Sequence, residues 1–164
     1  MQEFQVVDAA ELAAAFVAAR YVVRVDGDAI ALEVGAPAVD LEAYCANRSY
    51  GYITAWNPAS RPVPGTANAE ASARLRARLE SFDLELHPAT SSDASGQWIE
   101  EGWLAAGIDR DVLDTLAVEF GQAGVLFWEH GEPVRLRMSV AAPDGAPDLP
   151  CVDWDCGRHW PGED

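Results

Sequence analysis

Lysine is missing from this chain. All 11 basic residues are arginine, set against 27 Asp and Glu, for a formal net charge of −16. A field of that sign repels a phosphate backbone, so direct binding to DNA or RNA is not expected. Acidity of this degree keeps a protein soluble, and it also suits a basic protein partner. The acids are scattered rather than arrayed on one segment, which argues against mimicry of a nucleic acid. Cysteine is scarce as well. Cys45, Cys151 and Cys156 are odd in number and irregular in spacing, which fits reduced thiols better than a disulfide framework. No run approaches the ~18 consecutive apolar residues of a spanning helix. The alanine-rich patch near the start has no basic region before it and is interrupted by Glu11. A cytoplasmic protein without signal peptide or membrane segment is therefore expected.

The familiar catalytic signatures are also lacking. There is no phosphate loop, no G-x-S-x-G, no H-E-x-x-H and no dinucleotide fingerprint. The three histidines stand far apart, and none sits in a recognisable nucleophile arrangement. One metal-like pattern occurs, "CVDWDCGRH", where Cys151, Cys156 and His159 with Asp153 or Asp155 are ligand types that zinc accepts. Its C-x4-C-x2-H spacing is unusual, and solvated or packed thiols are the preferred reading. No cofactor and no metal are expected, and the balance is against an enzyme.

What is present is enough for one domain: 164 residues, 49% of them hydrophobic. Asp8 and Glu11 form a capping box for a helix whose face continues through Leu12, Phe16 and Ala19. "YVVRVDGDAIALEV" reads as a hairpin turned by Asp26-Gly27. Asp40 is placed to cap a short helix ending at Tyr44. A strand from Tyr50 to Trp56 stops at Asn57-Pro58, where the proline biases Asn57 toward an extended backbone. Asn68 is placed to cap the next helix, with Ala71, Leu75, Leu79 and Phe82 on one face. "LELHPAT" reads as an edge strand, because Pro88 has no N–H for a ladder. "QWIEEGWLAAG" is a further strand. Asp109 caps a helix with an Ile108–Leu113 staple and a stripe of Leu113, Leu116, Ala117 and Phe120, closed by Gly121. "VLFWE" is an apolar central strand, and "VRLRMSV" alternates in and out.

From Tyr50 onward the order is strand, helix, strand, strand, helix, strand. That is an α+β split βαβ, or ferredoxin-like, sandwich with both helices on one sheet face. The N-terminal helix and hairpin are expected as additions at one edge. The domain is assigned to 1–142, and 143–164 to an acidic Pro/Gly-rich tail that either drapes over the domain or is mobile.

Several polar residues stand out as a candidate binding set. Asn57, Ser60 and Arg61 cluster in the loop after the first strand of this unit. Asn68 lies at the helix start, at the same end of the sheet, where loop amides can receive an anion or carboxylate. Period-two alternation puts Glu100 with Trp98 and Leu104, so a carboxylate points toward apolar neighbours. It reaches the Asn57 end if its strand runs opposite to its neighbour. Gln122 also begins a strand, and strand starts in this topology point it toward the opposite end.

Taken in order, "YITAWNPASRP", Asn68, "QWIEEGW", "LAAGIDRD" and "FGQAGVLFW" resemble a bacterial family of small domains of unknown function. The family style is I-T-A-x-N-P-x-S, then N, then W-x-E, then F-G-Q-x-A. The likeness covers about residues 50 to 130, with Tyr21 a further match. It implies polar marks at Asn57, Ser60, Asn68, Glu100 and Gln122, and brings no established activity. Gly102 stands where the family tends to have Ser, and Gly124 where a bulkier residue is usual. The function expected is a non-enzymatic acidic binding or regulatory domain acting on a basic protein, for example as an immunity or inhibitor protein. The alternative is a small enzyme or ligand-binding domain with a site around Asn57, Asn68 and Glu100.

Overall fold

The computed structural model describes residues 8–57 and 62–155. Ser60 and Arg61, and the Cys156 and His159 of the metal-like pattern, lie outside the described residues. The chain opens with α1 (Ala9–Ala18), started as expected by Asp8, whose carboxylate accepts the Glu11 N–H at 2.8 Å. A hairpin follows, β1 (Arg20–Val25) and β2 (Asp28–Leu32). Its Asp26 and Gly27 both adopt left-handed φ, 50° and 85°, as a two-residue mirror-image turn requires. Then come α2 (Val39–Tyr44), β3 (Ser49–Thr54), α3 (Gly65–Glu80), β4 (Glu85–Ser92), β5 (Glu100–Ala106), α4 (Arg110–Glu119), β6 (Gly124–Glu129), β7 (Arg135–Met138) and β8 (Val152–Trp154).

The result is an α+β protein in which, among the described residues, four helices flank one eight-stranded sheet, ordered β2-β1-β4-β5-β3-β6-β7-β8. Every neighbouring pair is antiparallel except β7 with β8. Both faces carry a core, which is why all six residues of β3 are buried. On one face α3 and α4 bring Leu75, Leu79, Leu113 and Leu116 onto Ile53, Ala105 and Val125. Gly51 makes room there: a Cβ would come within 2.8 Å of Ile108 and 3.0 Å of Leu113, the two staple residues of α4. On the other face α1 and α2 contribute Leu12, Ala13 and Leu41 to a core with Tyr21, Tyr50, Tyr52, Leu104, Trp128 and Leu136. The sheet curls around this second core. Just past β2, Gly35 donates to the Val134 carbonyl at 2.8 Å, and Val134 donates back to Ala36 at 3.0 Å, just ahead of β7.

Some expectations are corrected. The hairpin does extend the β4 side of the sheet, but α1 leaves it and packs near β6 and β7, with Phe16 against Gly124. β4 is not an edge strand, because β1 pairs with it from Ala89 to Ser92. That ladder stops just before Pro88, which has no N–H to continue it. Asn68 does not cap α3: the cap residue is Pro64, and Asn68 sits in the first turn with its N–H on the Pro64 carbonyl. Asp40 likewise lies inside α2, after the cap residue Ala38. In the C-terminal segment, β8 runs along β7, with Val152 and Trp154 against the second core and Asp153 paired to Arg135. Among the described residues, no helix is long and apolar enough to cross a membrane.

Candidate functional site

The site is built by sheet register. Regular pairing of β3 ends at Thr54 opposite Gly102 of β5, and at Tyr52 opposite Leu126 of β6. Continuing both registers sets Trp56 between Glu100 and Gln122. β5 and β6 are both antiparallel to β3, so their starts lie at its end. Gln122 therefore belongs to the Asn57 end, not the opposite one, and its Nε2 donates to the Trp56 carbonyl at 3.0 Å and the Phe120 carbonyl at 3.2 Å. Thr54 ends the ladder by substitution: its hydroxyl donates to the Glu101 carbonyl at 2.6 Å and accepts the Trp56 N–H at 3.0 Å.

Asn57 does not adopt the extended backbone that Pro58 favours. Its φ is 49°, in the left-handed region that asparagine tolerates better than most side chains. What holds it there is a closed set of hydrogen bonds. Its N–H donates to Asn68 Oδ1 at 2.9 Å, and Asn68 Nδ2 returns a bond to Asn57 Oδ1 at 3.1 Å. The same Oδ1 accepts the Val63 N–H at 3.2 Å. Asn57 Nδ2 then donates to Glu100 Oε2 at 2.7 Å. Both asparagines are buried, so deleting either strands polar groups at about 1–3 kcal/mol each. These amides tie the end of β3 to the first turn of α3, with their hydrogen-bonding capacity turned inward.

Glu100 is the member that faces outward as well. Its Oε2 accepts both Asn57 Nδ2 and, at 3.2 Å, the indole Nε1 of Trp98. Burial pushes its carboxyl above the ordinary carboxylate range, and those two donors partly offset the push. Tyr52 and Tyr21 pack beside it, edge to face at 5.4 Å. Both phenols are held above their usual value by burial first, and further by the charge of Glu100. On the solvent side Trp98 and Ile99 are 58% and 60% exposed, and Trp98 has a φ of 56°. Trp98 was not in the sequence-derived set. Its signal was two large apolar residues side by side before a strand, one of which alternation leaves on each face.

Of the six expected site residues, the structure brings together Asn57, Asn68, Glu100 and Gln122, while Ser60 and Arg61 lie outside the described residues. Gly102 has a local reason too: a Cβ there would approach the Ile53 carbonyl oxygen to 2.7 Å and the Tyr52 ring to 3.0 Å. A shallow groove between α3 and α4, lined by Arg78, Phe82, Asp111, Val112 and Leu116, shares no residue with this site. No curated protein and no solved structure matches the chain. Residues 53–125, from β3 into β6 and including Asn57, Asn68, Glu100 and Gln122, match the family described as Protein of unknown function (DUF3293).

Proposed function

We propose that this chain is a non-enzymatic binding domain that takes a basic, apolar-flanked segment of a protein partner at the Glu100 end of its sheet. The observation that carries the reading is the pairing of a partly buried carboxylate, fixed by Asn57 and Trp98, with two exposed apolar side chains, Trp98 and Ile99. Exposed aromatic anchors beside a preorganised charge are what interfaces use to concentrate affinity. The net charge of −16 adds attraction for a cationic partner and speeds encounter. An inhibitor or regulatory role needs only such affinity and no turnover. The unit that presents the site reads as a split βαβ: its strands lie in the order β4-β5-β3-β6, all antiparallel, with α3 and α4 over one face, which supports that topology.

Calorimetric titration with a synthetic peptide of alternating arginine and leucine tests this. Trp98→Ala and Glu100→Gln should each weaken binding roughly 10-fold, equivalent to about 1.4 kcal/mol. Equal affinity in both variants, or equal binding of a glutamate–leucine peptide, would overturn the reading. A second reading, a small-ligand or enzyme site around Asn57, Asn68 and Glu100, is favoured by the raised carboxyl beside Tyr21 and Tyr52. Under it a simple alkylguanidine alone would raise the unfolding midpoint of the wild type and not of Glu100→Gln.

A further inference from the structure

At the opposite end of β5, a second cluster has nothing to do with Glu100. Glu85 and His87 are two apart on β4, and their cross-strand partners are Ala106 and Leu104, both on the face of the second core. That register aims both side chains at Cys45, the residue that ends α2. The Cys45 thiol donates to Glu85 Oε2, and His87 Nε2 meets the same oxygen at 2.9 Å. The three donor atoms all lie within 4.8 Å of one another. Cys45 is buried and His87 mostly so, whereas the Glu85 side chain is 54% exposed, so one side of the cluster opens to solvent.

The backbone around the thiol is braced. Tyr50 donates its phenol to the Cys45 carbonyl at 2.6 Å and accepts the Asn47 N–H at 2.8 Å. The Tyr50 ring stacks on Trp128 at 5.2 Å, which fixes the phenol in turn. Support of this kind behind the ligands is what metal sites use to hold their geometry.

We propose that Cys45, Glu85 and His87 bind a divalent transition metal ion, zinc above all, leaving a fourth, solvent-facing position for water or an external ligand. A thiolate with an imidazole selects zinc-like ions over magnesium or calcium, and one carboxylate completes a three-ligand set of accepted types. Tetrahedral zinc with bonds of 2.0–2.3 Å sets its ligand atoms roughly 3.3–3.8 Å apart. Reaching that spacing requires the Glu85 carboxylate, the exposed member of the set, to move away from the thiol it now touches. Without metal, the shared carboxylate oxygen takes the thiol hydrogen bond. With metal, Cys45 binds as thiolate and its proton passes to solvent, while His87 coordinates through Nε2 and carries its proton on Nδ1.

The test is titration of the chelator-treated full chain with cobalt(II) and then zinc. The expected result is one-to-one binding with a thiolate-to-cobalt charge-transfer band and the visible bands of a tetrahedral ion, both displaced by zinc. Cys45→Ser should abolish the charge-transfer band, and His87→Gln, at a less buried position, should weaken binding roughly 10-fold or more. Cys151→Ser and Cys156→Ser should leave the spectrum unchanged. Absence of the charge-transfer band in the wild type overturns the proposal. So does a band that survives Cys45→Ser, cobalt affinity unchanged in His87→Gln, or a band lost in either C-terminal cysteine variant. None of these outcomes bears on peptide binding at Glu100.

Discussion

Glu100 is held between opposed forces: burial raises its carboxyl, two hydrogen bonds lower it, and burial wins. A folded-state value above the unfolded one means that folding disfavours the charged form, so this residue subtracts stability at neutral pH. The penalty is present above the raised value and is relieved as pH falls through it toward the ordinary carboxylate range. Glu100→Gln removes the charge, and a single amide oxygen can still accept from both Asn57 and Trp98, since both now use Oε2. The variant is expected to be at least as stable as the wild type at pH 7, with the gap closing by about pH 4. Urea unfolding across that range checks this, and a gap independent of pH would show that the charge is not the cause. Alternation along "QWIEEGW" made the carboxylate legible among apolar neighbours. Its meeting with Asn57, 43 residues away, was legible only on condition that the two strands run opposite, which the antiparallel pairing of β3 with β5 decides. The left-handed backbone of Asn57 was hidden: local sequence favours the extended form, and bonds from Asn68, Val63 and Glu100 override it.

At the scale of elements, α1 shows how a helix with a readable start can have an unreadable destination. Asp8 fixes where it begins, but what receives it is Gly124 of β6. A Cβ on Gly124 would come within 2.8 Å of the Phe16 ring and 3.2 Å of Leu136. The missing side chain of β6 is thus replaced by the Phe16 ring from α1. Gly124→Ala is expected to destabilise by about 1–3 kcal/mol, and Phe16→Leu in that background should recover part of the loss. A double-mutant cycle by denaturant unfolding would read a coupling of about 0.5–3 kcal/mol. Strict additivity would mean that the two do not meet. By contrast, the bounds and stripe of α4 were readable, with Ile108 and Leu113 both fully buried and Gly121 at φ 66° just past its end, although the Asp109 side chain at its start makes no capping bond and pairs with Arg48. Its stop and start signals are local, and its stripe faces a sheet that any amphipathic helix would seek.

Over the whole molecule, acid exceeds base far beyond what pairing absorbs. Among the described residues Arg48, Arg76, Arg78, Arg135 and Arg137 each hold one carboxylate, at 2.7–3.0 Å. The remaining excess repels itself, and compaction brings it closer. Stability should therefore rise as sodium chloride shortens the screening length from ~30 Å at 0.01 M to ~8 Å at 0.15 M. Urea unfolding at the two salt concentrations measures it, and a fall instead would mean that the arginine pairs outweigh the repulsion.

The sequence by itself determined the acidity, the α+β class and most element positions, because these rest on composition, on periods of two and 3.6, and on short-range turn chemistry. Only the tertiary structure decided that Gln122 joins Asn57, that α1 crosses to Gly124, that the sheet curls until Gly35 meets Val134, and that Cys45 faces Glu85 and His87. Each of these depends on which strands become antiparallel neighbours, and a register between distant segments is set by the packing of both faces at once, which no local window contains.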